Sequence, residues 1–166
     1  MIRTQGGNDS GGVRVTIAFR PATEADSGRI AEVYLGSRKM FLWYARSPHS
    51  DDAARAWVRD ILLAQEDVSI ATVADLLVGF ISVHRADGIT WITQFYLDPS
   101  WVCHGIGSSL LTRTLATAPR PIRLYTFQEN AGARRFYERN GFSPVRFSDG
   151  HENEERCPDV LYELAG

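Results

Sequence analysis

The sequence predicts a mixed α/β fold: a mostly antiparallel central sheet with helices on both faces. Three observations lead there. Apolar runs of strand period alternate with segments of helical period in the order β-α-α-β-β-β-α-β-α-β-β. The three central strands succeed one another with only turns between them, as in an antiparallel meander. After them, strands alternate with helices, which brings parallel pairing into a sheet.

Val13 to Phe19 alternates Val13, Val15, Ile17 and Phe19 with small or polar residues, a strand ended by Arg20-Pro21-Ala22. Thr23 with Asp26 three residues on forms a capping box, and Ile30, Val33, Tyr34 and Ser37 then share one helical face. Met40 to His49 is aromatic and irregular, either a loop or a short broken helix. Ser50 can cap a second helix, with Asp51 and Asp52 at its positive end and Ala54, Trp57, Val58, Ile61 and Leu62 as its apolar stripe.

Val68–Val73 and Leu76–Val83 read as strands around a turn at Ala74-Asp75. Ile89–Leu97 is a third strand, stopped by Asp98-Pro99. Gly105–Ala118 is a helix burying Ile106, Leu110, Leu111 and Leu115, and Pro119 and Pro121 end it. Ile122–Phe127 is a strand. Asn130–Arg139 is a helix closed by Asn140-Gly141 as a left-handed cap. Phe142–Phe147 and Asp159–Leu164 are the last strands.

A chain of 166 residues is one domain's worth, with ordinary apolar (44%) and charged (23%) shares. We expect a disordered polar leader over residues 1–12 and a single domain over 13–166. The net charge of −2 gives no broad cationic field, which argues against nucleic acid as the main partner. No apolar run is long enough to span a bilayer, so no membrane partner is expected. Cys103 and Cys157 make no disulfide framework, and a cytoplasmic setting is the default. His49, His84, His104 and His151 are scattered without ligand spacing, so no metal is expected.

The chemistry-bearing segments lie in the second half. His104-Gly105-Ile106-Gly107-Ser108-Ser109 sits between a strand and an amphipathic helix. Exposed amides at a helix start carry roughly half a positive charge, and glycines let a phosphate approach the backbone. Alone, the loop is equally an ordinary strand-to-helix turn. No Lys-Ser/Thr pair makes it a P-loop, and a third glycine for a dinucleotide fold is missing.

The segment from Asn130 to Phe142 is more specific. With Asn130, Ala133, Phe136, Tyr137, Gly141 and Phe142 it resembles the second signature of the GNAT superfamily of N-acetyltransferases, Asn-x-x-Ala-x-x-Phe/Leu-Tyr-x-x-x-Gly-Phe. Pro99, Gly105 and Gly107 resemble the first signature. Val102 stands where that family usually has Arg or Gln, and Cys103 where it commonly has glycine. The resemblance covers Phe19 to the C-terminus and the element order.

The resemblance implies a sheet splayed into a V between Ile89–Leu97 and Ile122–Phe127. It also implies an enzyme moving an acetyl group from acetyl-CoA to a primary amine by direct attack. Pantetheine would bond the backbone near Phe95 and Leu97. The pyrophosphate would meet Cys103, His104, Gly105, Ile106, Gly107, Ser108 and Ser109, and Asn130 and Arg134 (or Arg135) would add contacts. Tyr137 is implied as the general acid that protonates the departing thiolate; its reference pKa of about 10 keeps it protonated. No carboxylate stands on the strand before the loop, so Gln94 could position a water, with Glu154 and Glu155 as alternative bases. Trp43, Tyr44, His49, Glu154 and Glu155 would line the acceptor side, for a small-molecule or peptide amine. A homodimer through the last strands is expected by resemblance. The rival readings are a degenerate acyl-CoA-binding regulatory module and a plain interaction domain.

Overall fold

The computed structural model describes residues 16–166. The expected leader, residues 1–12, and the expected strand positions Val13 and Val15 lie outside the described residues; the first strand, β1, spans Ile17–Pro21. Thr23 and Asp26 then start a helix as their spacing predicts. The Asp26 carboxylate accepts the Thr23 N–H at 2.8 Å and is gripped by Arg20 at 2.8 and 2.9 Å. The Arg20 guanidinium is the main reason its pKa falls to about 2. One tight turn leads into α1 (Ser27–Phe41), which extends past the expected start of the irregular segment. Leu42 to Ser50 is loop.

Ser50 caps α2 (Asp51–Trp57), accepting the Ala53 N–H at 3.1 Å. The helix then widens into a π turn over Val58–Leu62 before a last turn, α3 (Leu63–Gln65). Widening adds a residue per turn and rotates the positions C-terminal to it about the helix axis. Val58 and Leu62 are fully buried, but Ile61, expected on the same stripe, is 43% exposed.

Strands β2 (Asp67–Val73) and β3 (Leu76–Ala86) form a hairpin on Ala74-Asp75, both in the left-handed conformation that matches strand twist. Next come β4 (Ile89–Leu97), α4 (Ile106–Thr117), β5 (Ile122–Phe127), α5 (Ala131–Arg139), β6 (Ser143–Ser148) and β7 (Asp159–Leu164). One sheet results, in the order β1-β2-β3-β4-β5-β7-β6. Every neighbouring pair is antiparallel except β4 with β5.

Helices cover both faces. Ile30, Val33, Val58 and Leu62 pack on Ile70 and Phe80 on one side. Leu110, Leu111, Tyr137 and Phe142 pack on Ile81, Ile92, Ile122 and Leu124 on the other. Each fully buried aliphatic side chain is worth about 1.5–3 kcal/mol, which holds the layers in place. Leu115, expected in the core, is half-buried against it.

Two irregularities shape the middle of the sheet. First, β4 and β5 pair only at Thr90–Ile122 and Trp91–Arg123. Beyond those positions the strands part, which is the expected V. Second, Ser82 pairs with Gln94 but Val83 pairs with Ile92. Thr93 is therefore an extra residue, a bulge that re-aims side chains at the mouth of the V.

Candidate active site

A cleft of about 750 Å³ opens where β4 and β5 part, on the face covered by α1 and α2. The bulge turns both Thr93 and Gln94 into it, and Tyr125, Thr126 and Phe127 of β5 form the facing wall. Gln94 makes no side-chain hydrogen bond among the described residues, so its amide is free to hold a water or a ligand.

Of the residues expected on the acceptor side, His49, Glu154 and Glu155 line this cleft. Trp43 and Tyr44 do not. Trp43 is 73% exposed. Tyr44 turns inward, edge-on to Phe127 at 6.2 Å, and its buried hydroxyl has no partner among the described residues. Burial is the main cause of its pKa rising to about 12. The two glutamates are not free carboxylates. Glu154 sits 3.0 Å from His49, and Glu155 accepts from Arg38 at 3.0 Å.

Arg38 is a cleft residue that sequence reasoning missed. Its guanidinium also donates to the Ala45 carbonyl at 3.1 Å and to the Tyr96 hydroxyl at 3.4 Å, and lies over the Tyr34 ring. Burial raises the Tyr96 phenol to about 12 although Arg38 opposes it. The only signal in the sequence was spacing: Arg38 lies one turn beyond Tyr34, next to a face read as apolar.

The loop before α4 is built as an open cradle. Cys103 and Gly105 take left-handed conformations, φ +65° and +76°, on either side of His104. Gly105 occupies the N-cap and has no side chain to satisfy the first-turn amides of α4. His104 and Ser108 are exposed and Ser109 half-buried. The His104 ring meets the Val102 carbonyl at 2.8 Å. The uncapped amides fit an anion such as a pyrophosphate.

The two glycines differ in what surrounds them. At Gly105 an added Cβ would meet nothing within 4 Å, but its backbone is left-handed. At Gly107, expected to bare the backbone to phosphate, a Cβ would meet Leu97 at 3.3 Å. Gly107 is buried and serves the close approach of α4 to β4. Phe95 and Leu97 are its neighbours there.

On α5, Asn130 accepts the Ala133 N–H at 3.1 Å as an N-cap. Arg134 turns toward β7 and β6, donating to the Tyr162 hydroxyl at 3.1 Å and lying over the Phe147 ring. Arg135 is the exposed member of the pair and has no hydrogen bond among the described residues. Tyr137 is buried between Phe136, Phe142 and Tyr162, with ring separations of 5.4, 5.7 and 6.3 Å. Burial first, and the Tyr96 phenol of the cleft second, push its pKa well above the ordinary tyrosine value. Its hydroxyl therefore stays protonated across the neutral range.

Among the described residues no helix is long and apolar enough to cross a membrane, and no cluster of His, Cys, Asp and Glu could hold a metal ion. The acetyltransferase (GNAT) family model matches residues 29–142. No curated protein matches the chain. Among solved structures the chain is similar to PaiA N-acetyltransferase from Thermoplasma acidophilum in complex with coenzyme A. That match has 20% identity and a TM-score of 0.72, covering 91% of this chain and 99% of that one. It is similar to a GNAT-family acetyltransferase from Bacillus cereus at 16% identity and a TM-score of 0.71, covering 90% and 97%. It is also similar to YncA from Salmonella typhimurium with its cofactor acetyl-CoA, at 18% identity and a TM-score of 0.70, covering 90% and 94%. At these identities the likeness speaks for the fold.

Proposed function

The chain belongs to the acetyltransferase (GNAT) family, and from that premise we propose that it transfers the acetyl group of acetyl-CoA to a primary amine by direct attack, as one acetyltransferase domain over residues 13–166. The observation that carries this reading is the parting of β4 from β5 beside the uncapped start of α4. A long ligand with an anionic middle and a reactive end fits that arrangement.

In this reading the amides of Gly105, Ile106, Gly107 and Ser108 hold the pyrophosphate, with Cys103, His104 and Ser109 around it. The unpaired edge of β4 near Phe95 and Leu97 holds the pantetheine arm. Asn130 orders the start of α5, and Arg135 rather than Arg134 is free to reach a ribose phosphate. A backbone N–H of the splayed strand faces the oxyanion as it forms, the kind of preorganised donor that costs nothing to reorient. Tyr137, the tyrosine of the family-like segment on α5, donates its proton to the departing sulfur; burial keeps the phenol protonated until then. Gln94 positions a water or the amine itself.

The acceptor enters the cleft past His49, Glu154 and Glu155. Because Glu155 is neutralised by Arg38, the cleft is suited to an amine held by hydrogen bonds and aromatic walls as well as by charge. Small-molecule and peptide amines both fit this description. A cytoplasmic setting, and a homodimer through the last strands, complete the proposal.

The test is a screen of amines with acetyl-CoA, following free thiol. Thiol release that requires both substrates supports the reading. A rise in melting temperature with acetyl-CoA but no release from any amine would favour the regulatory module, since binding alone stabilises the folded chain.

A further inference from the structure

The acetyl-transfer reading leaves one proton unassigned, the one lost by the attacking amine, and the sequence offers no carboxylate on β4 to take it. The structure brings one there from another element. Glu66, between α3 and β2, accepts a hydrogen bond from the Thr93 hydroxyl. Twenty-seven residues separate the two in sequence. Ser82 of β3, fully buried, lies 2.6 Å from the same Thr93 oxygen. Thr93 is the bulge residue, exposed in the cleft beside Gln94.

A hydroxyl has one proton to give and two positions to accept. With the Thr93 proton directed at Glu66, Ser82 donates to Thr93 and fills one accepting position. The other is open, on a side chain that lines the cleft. Of the other carboxylates lining the cleft, Glu155 is engaged by Arg38, Glu154 by His49, and Asp159 by Ser148 and Asn153, while Glu152 is largely exposed to solvent and meets only His151, at 3.8 Å; none of them contacts Thr93.

We propose that Thr93 accepts the proton of the acceptor amine while passing its own to Glu66, with Ser82 holding the hydroxyl in line. The step balances. The amine nitrogen bonds the acetyl carbon and the carbon–sulfur bond breaks. The N–H proton moves to Thr93 Oγ1, the Thr93 proton moves to Glu66 Oε2, and the sulfur leaves with the Tyr137 proton. Glu66, half-exposed, returns its proton to solvent, and Tyr137 takes one back from solvent before the next turnover, so no net proton is consumed. Thr93 touches the substrate; Glu66 and Ser82 act through it as positioning residues.

This inference rests on the acetyl-transfer reading, and the experiment separates the two. The full chain and its E66Q, T93V and T93S variants are assayed for thiol release with acetyl-CoA and the best amine of the screen, from pH 6 to 9. The expected result is a fall in kcat of about 10²-fold for E66Q and T93V at neutral pH. Their rates recover as pH rises and solvent takes over the proton, while the KM for acetyl-CoA stays unchanged. T93S keeps most of the rate because it keeps the hydroxyl. T93V preserves shape, so it reports on the relay even if E66Q folds poorly. Rates for E66Q and T93V equal to the parent across the pH range would overturn the relay and leave acetyl transfer standing. A parent chain inert with every amine would overturn acetyl transfer and the relay with it.

Discussion

The Arg38 guanidinium meets the Glu155 carboxylate at 3.0 Å across 117 residues of sequence. This pair ties α1 to the β6–β7 loop at the wall of the cleft, with only 10% and 20% of the two side chains exposed. Removing one partner from so enclosed a pair leaves the other charge uncompensated. Arg38→Met should therefore cost about 3 kcal/mol in urea unfolding. The double variant Arg38→Met, Glu155→Leu should recover most of that loss. Both variants should raise the KM for the amine more than that for acetyl-CoA.

Tyr137→Phe isolates the proposed acid. No described residue hydrogen-bonds the hydroxyl, so unfolding free energy should change by under about 0.5 kcal/mol. If the phenol protonates the leaving thiolate, kcat should fall about 10²–10³-fold with both KM values nearly unchanged. A kcat within twofold of the parent would remove Tyr137 from the chemistry.

Cys103 takes a left-handed φ of +65°, where a side chain costs roughly 1–2 kcal/mol. Glycine adopts that conformation freely but is also freer in the unfolded chain. Cys103→Gly should thus stabilise the protein by about 0.5–1 kcal/mol. Calorimetry of the two chains side by side measures the difference.

Gly107→Val and Gly105→Ala should fail for different reasons. At Gly107 the new side chain presses on Leu97 and shifts the start of α4, costing about 1–3 kcal/mol and weakening acetyl-CoA. At Gly105 there is room for a methyl group, and the cost is backbone strain of about 1–2 kcal/mol. Titration calorimetry with coenzyme A should show the larger loss of affinity for Gly107→Val.

Asp26 predicts a pH dependence of stability. Its folded pKa of about 2 lies below the unfolded value of about 3.9, so its contribution is present above the unfolded value and is lost as pH falls through the folded one. The Arg20 partner is half-exposed, so solvent screening holds the contribution at neutral pH to about 1 kcal/mol. Asp26→Asn should be less stable than the parent by that amount at pH 7, and the gap should close between about pH 4 and pH 2.

Much of the fold was legible because it is written in local patterns. The element order comes from periodicity, and Thr23, Ser50 and Asn130 announce helix starts because a capping side chain bonds within three residues of itself. Ala74-Asp75 and Gly141 mark turns through their own conformations. Ile61 was misplaced because a π turn is a backbone event that no apolar spacing signals.

The site divides along the same line. By itself the sequence determined the order of elements, the uncapped loop at Gly105 and the segment from Asn130 to Phe142, all of which act within a few residues of themselves. Only the tertiary structure decided that Gly107 serves the packing of α4 on Leu97, that Arg134 turns to Tyr162, that Arg38 neutralises Glu155, and that Glu66 meets Thr93 at a bulge. Each of these is a contact between residues distant in the chain. Such contacts are set by strand register and by how helices seat on the sheet, and no local spacing encodes either.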